Sequence, residues 1–139
     1  LTAGAGALSV ADGVTGAAQS AHMELQPPPA GGETATVFVR GEATLAAQRV
    51  RFRGSLALTL NLEGVTATGN IDNTAWELQV SVGRWVDRVD FAALTPSAPD
   101  AEVEFAADSQ AANALYRAAT NVGSYRVVKL NTVDGGTSP

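Results

Sequence analysis

From Val50 to Leu62 the side chains alternate strictly. Val50, Phe52, Leu56, Leu58, Leu60 and Leu62 take the even positions, broken only by Gly54, and Arg49, Arg51, Arg53, Ser55, Ala57, Thr59 and Asn61 take the odd ones. Successive side chains of a strand point to opposite faces, so this stretch predicts a strand with one dry and one wet face. At about 15 residues it exceeds the usual strand length, which predicts a bend or bulge at Gly54.

The same period of two recurs on either side. Val37 and Val39 alternate with Thr36, Phe38 and Arg40 in a strand ending at Gly41. Glu63-Gly64 reads as a turn, after which Val65, Ala67, Gly69 and Ile71 carry the alternation on the other parity. Turn formers fill Asn70 to Asn73, and Trp76, Leu78, Val80 and Val82 mark a fourth strand. Beyond Gly83, Trp85, Val89 and Phe91 share a parity with Asp87 and read as a further extended stretch over 84–91. Val103 and Phe105 alternate with Glu102 and Glu104, and Tyr125, Val127 and Val128 begin a last strand. One helix is predicted between these two, capped by Asp108 or Ser109, with Ala111, Ala112, Leu115 and Ala119 on one face and a stop at Asn121 to Gly123.

One-sided alternation is the mark of antiparallel hairpins and meanders. The predicted fold is therefore all-β, mainly an antiparallel β-sandwich or partly closed barrel, with one short α-helix near the C-terminus packed on a sheet edge or end. Residues 1–22 are small, Gly-rich and weakly patterned, and Pro27-Pro28-Pro29 followed by Ala30-Gly31-Gly32 reads as a stiff step and then a hinge. This divides the chain into a flexible N-terminal arm and linker (1–32), a β-rich domain (33–131) and a loose tail (132–139). If the arm is ordered, a neighbouring surface must hold it, such as that of another subunit.

Composition narrows the choices. The chain has 139 residues, 45% of them hydrophobic and 17% charged, which suits one folded domain and not a disordered chain. No apolar run of about 18 residues occurs, so no membrane-spanning helix is expected. Without cysteine there are no disulfides, thiolate metal sites or thiol nucleophiles. Nine basic residues against 14 acidic ones argue against general nucleic-acid binding. The sequence starts at Leu1, and residues 1–26 lack the basic head and unbroken apolar stretch of a retained signal peptide, since Asp12 and Glu24 interrupt them.

Candidate chemistry is sparse. Arg49, Arg51 and Arg53 project from one strand face about 7 Å apart and form the candidate interaction face. Such a row could grip an anionic partner, or it could pair across the sheet with Glu77, Glu102 or Glu104. His22 is the only histidine and lies in the arm, without a fixed partner for base catalysis. Asp12-Gly13 and Asp134-Gly135 are isolated acids that open no calcium loop, and Asp87 and Asp90 are expected on opposite strand faces. Trp76 and Trp85 run in phase with apolar neighbours and read as core, with an indole N–H each to satisfy. No catalytic residues, cofactor or metal site are expected, and enzyme function is not.

The expectation is thus a non-enzymatic structural or assembly subunit that self-associates through sheet edges and the N-terminal arm. A phage virion component (tail tube or head decoration) or an extracellular filament subunit fits that description, which places the chain extracellularly or in a virion. The alternative is an exported sandwich or barrel module that binds a sugar, lipid or anionic partner in a barrel mouth or on the arginine face, a reading that a pocket lined by Trp76 or Trp85 would favour.

Overall fold

The alternation at 50–62 persists in three dimensions, but two strands share it. The computed structural model describes residues 7–8, 16–28, 34–45, 48–71 and 75–129. Its elements are β1 (Ala7–Leu8), β2 (Gly16–Leu25), β3 (Val37–Leu45), β4 (Gln48–Leu56), β5 (Leu60–Ile71), β6 (Trp76–Val80), α1 (Val82–Val86), β7 (Glu102–Glu104), α2 (Gln110–Ala119) and β8 (Tyr125–Lys129). They form a five-stranded sheet in the order β1-β6-β8-β5-β2 and a three-stranded sheet in the order β3-β4-β7. Neither sheet closes on itself, so the fold is a sandwich-like all-β arrangement and not a barrel. Antiparallel pairs dominate, but β4–β7 and β5–β8 are parallel and make both sheets mixed.

β4 lies in the small sheet and β5 in the large one, so the long run breaks at 57–59 and not at Gly54. Thr36 ties this crossing down. Its hydroxyl donates to the Leu58 carbonyl at 2.5 Å and accepts from the Leu58 N–H at 3.0 Å. The parity is kept across the break: Val50, Phe52 and Leu62 are buried, and every odd position from Arg49 to Asn61 is exposed. Gly54 pairs with Val39 in an unbroken register. It is glycine for lack of space, because a Cβ there would collide with the Phe105 ring and meet Leu115 Cδ2 at 3.1 Å.

Glu63-Gly64 is a bulge within β5 and not a turn. The β2–β5 register runs from Met23↔Leu62 to Ala21↔Val65, which inserts one extra residue on β5. Gly64 takes φ +74°, the left-handed conformation that one bulge class requires. A bulge and a turn leave the same trace in sequence, since either shifts the buried set from even to odd.

The stretch 84–91 is also corrected. Val82–Val86 is helical and Phe91–Ala93 is a 3-10 turn. Val82, Trp85, Val86 and Val89 follow the helical spacing of three and four, which brings Trp85, Val86 and Val89 onto the core. The predicted helix is α2, capped by Ser109, whose hydroxyl accepts from the Ala112 N–H at 3.1 Å. Ala111, Ala112, Leu115 and Ala119 are buried as expected, against the inner face of the three-stranded sheet and not at its edge.

Segment 1–22, expected to be loose, contributes Gly16 to His22 to a ten-residue strand, β2. β2 pairs along β5 at one edge of the large sheet, and Ala7–Leu8 pairs with β6 at the opposite edge. The surface that these described residues pair with is thus this chain's own. Residues 29–33 and 130–139, which carry much of the expected linker and the whole tail, lie outside the described residues.

Each sheet has its own apolar cluster. Under the small sheet Phe52 stacks on Phe105 (centroids 5.6 Å, 9°) and meets Phe91 (4.9 Å, 46°), with Val37, Val39 and Leu115. Leu62, Val65, Trp76, Tyr125 and Val127 pack under the large one. Trp85 packs against both.

Candidate functional site

The outer face of the three-stranded sheet collects most of the charge that the sequence marks as candidate chemistry. β4 is the central strand, so its outward Arg51 and Arg53 lie between β3 and β7, while Arg49 lies beside β3 beyond the end of β7. The register sets Glu42 of β3 opposite Arg51, and Glu102 and Glu104 of β7 beside Arg51 and Arg53. Arg53 donates through Nη2 to Glu104 Oε2 at 2.7 Å and lies 3.9 Å from Glu102. That hydrogen bond and the Glu104 charge push the Arg53 pKa above the usual arginine value, outweighing desolvation. Arg40 Nε reaches Glu102 Oε1 at 2.5 Å, and Arg49 Nε lies 3.4 Å from Glu42. Arg51 has no carboxylate within 4.0 Å among the described residues.

Of the two uses open to the arginine row, cross-sheet pairing therefore occupies Arg49 and Arg53. Glu102 and Glu104 are partners as expected, whereas Glu77 lies on the other sheet and is approached by Gln79 at 3.4 Å. Water screens exposed pairs of this kind, so they order the face more than they stabilise the fold. Next to them Phe38 projects from β3 with 58% of its surface exposed, beside a cavity of about 270 Å³ lined by Arg53, Ser55 and Glu104.

β3 is an edge strand. Its nine residues pair with β4 without a register shift, and no strand covers its other side among the described residues. The other long edge, β2, carries two register shifts against β5. Bulges twist an edge away from partners, and a flat edge invites them.

The remaining candidates are scattered. His22 is exposed on β2. Asp87 ends α1, and Asp90 caps the 3-10 turn by accepting from the Ala92 N–H at 3.1 Å, so the two are not on a shared strand at all. Asp12 and Asp134 lie outside the described residues. No group of three or more potential metal ligands occurs among the described residues. Trp76 is buried and Trp85 half-buried, as core residues; neither indole N–H finds an acceptor among the described residues.

A second group of arginines went unread in the sequence. Arg84, Arg88 and Arg117 line a cleft of about 350 Å³ with Asp87, Asn121 and Ser124. Arg84 lies in α1 and Arg88 in the turn just after it, and the extended reading of 84–91 hid that the chain coils there and brings the two to one side. Arg117 comes from α2 and joins them only through tertiary packing.

Comparison of the chain with protein-family models, with curated proteins and with solved structures finds no match.

Proposed function

We propose that this chain is a non-enzymatic assembly subunit that self-associates by joining its β3 edge to β3 of a second copy. The observation that carries this reading is the β3 edge, which pairs with β4 in an unbroken register, has no strand on its other side among the described residues, and carries the exposed Phe38. Its sequence is also self-complementary about Gly41. In an antiparallel pairing centred there, Arg40 of each copy faces Glu42 of the other, and Phe38 faces Thr44. On the inner face Val39 meets Ala43 and Val37 meets Leu45. Two three-stranded sheets would become one of six.

This departs from assembly through the N-terminal arm, because β2 already serves as an edge strand of its own sheet. Binding of an anionic partner along the arginine row has less support, since the partner would displace glutamates from Arg49 and Arg53. A place in a virion or an extracellular filament is part of the proposal and requires contacts beyond this two-fold seam, since an isologous pair closes on itself.

Light scattering and sedimentation of the purified chain over a range of concentrations test the reading. A dimer or larger species should form, and Glu42→Arg, which sets like charges across the seam, should weaken it at least about tenfold while far-UV circular dichroism is unchanged. A chain that stays monomeric at millimolar concentration, or an oligomer indifferent to Glu42→Arg, overturns it.

A further inference from the structure

We propose that the cleft between α1 and α2 binds a multiply charged oxyanion of the phosphate-ester class, with Arg88 and Arg117 as its principal ligands. The site is separate from the β3 edge and does not depend on it.

Arg84, Arg88 and Arg117 line it together, from two helices and the turn after α1, with Asp87 as the one carboxylate residue among the described lining. None of the three forms an ion pair among the described residues, unlike Arg40, Arg49 and Arg53 on the small sheet. In a chain of net charge −5, leaving three arginines clustered and unpaired costs mutual repulsion that a bound anion would relieve.

Helix capping could account for some of these charges, because Arg84 and Arg117 lie in the last turns of α1 and α2. It does not account for the group. The carbonyls ending α2 are already served: Tyr116 O by the Thr120 hydroxyl, Ala118 O by the Ser124 hydroxyl and Ala119 O by the Tyr125 hydroxyl. Arg88 lies beyond the end of α1, in the turn held by Gln110, whose amide donates to Arg88 O at 2.7 Å.

The lining is also partly ordered in advance. Arg84 Nη1 donates to Gly123 O at 2.8 Å, which anchors that guanidinium and leaves its other N–H groups as donors. Asn121 Oδ1 accepts from the Gly123 N–H at 2.8 Å, so its amide NH₂ is left to donate. Arginine forks match the oxygens of phosphate and sulfate in bidentate fashion. The volume exceeds what a bare tetrahedral anion fills, which favours an anion carried on a larger body, or a diphosphate.

The test is calorimetric titration of the full chain with sodium pyrophosphate, inorganic phosphate and sodium sulfate at low ionic strength. Pyrophosphate should bind most tightly, and Arg88→Ala and Arg117→Ala should each weaken it about tenfold. Arg51→Ala, on the other sheet, should leave it unchanged, and thermal melting verifies that each variant is folded. Inorganic phosphate binding that strengthens as pH rises through that ion's own second pKa, with sulfate flat over the same range, identifies the dianion as the species held. No pyrophosphate binding at millimolar concentration, or equal losses from Arg51→Ala and Arg88→Ala, overturns the assignment. If Arg117→Ala fails to fold, Arg88→Ala and Arg117→Lys decide the matter in its place.

Discussion

Tyr125 shows how one side chain serves packing, polarity and pH response together. Its ring belongs to the cluster under the large sheet and lies 6.2 Å from the Trp85 ring, and its hydroxyl donates to Ala119 O at 2.6 Å. Burial pushes the phenol pKa up to about 12, from an ordinary value near 10. Because the folded pKa is the higher one, the folded chain holds the proton more tightly than the unfolded chain does. Stability is full below pH 10 and falls as pH rises from 10 through about 12, by up to about 3 kcal/mol. Urea denaturation at pH 8 and 11 should show about half of that loss, since pH 11 lies midway between the two pKa values. Tyr125→Phe should cost about 1 kcal/mol at pH 8, where the hydrogen bond is missed, and should lack this component of the alkaline decline. Gly54 was legible in part: the gap in the alternation marks it as special, but its reason, the Phe105 ring laid over it, comes from a residue 51 positions away.

At the scale of elements, strands that alternate cleanly could be read and those that do not could not. β4, β5, β6 and α2 follow from periods of two and of three to four, because a half-buried element must repeat its apolar residues at its own pitch. β2 escaped because half of Gly16–Leu25 is glycine, alanine or serine and the strand buries little: Ala18, Ala21, Met23 and Leu25 are only partly covered. It is held by backbone pairing to β5, which leaves no mark on side-chain type. Removing residues 1–25 is therefore expected to act on folding. The truncated chain should lose about 3 kcal/mol or more, a large part of the ~5–15 kcal/mol typical of a domain, and unfold at lower urea concentration. α1 was missed for another reason: five residues are too few to display a helical period, and Trp85, Asp87, Val89 and Phe91 also satisfy a period of two.

For the whole molecule, the link between the two clusters decides whether the sheets unfold together. Trp85 is the aromatic residue that packs against both. Trp85→Ala should cost about 3 kcal/mol and loosen the coupling between the clusters. Calorimetry should show one sharp transition for the parent chain and a broader or split one for the variant; a single transition of unchanged width would show that the clusters are coupled elsewhere. The sheet edges and the arginine cleft belong to the same scale, since each depends on which elements become neighbours.

That dependence marks where reading the chain stops. Alternation is local, so residue order alone established an all-β fold, the dry and wet faces of Val50 to Leu62, the α2 core face and the exposed arginine row. Strand order, the parallel joins, the edge position of β3 and the meeting of Arg84 and Arg88 with Arg117 emerged from folding. These rest on contacts between distant residues, and the same local pattern is compatible with many pairings; the choice among them lies in backbone hydrogen bonds and packing, which side-chain periodicity does not encode.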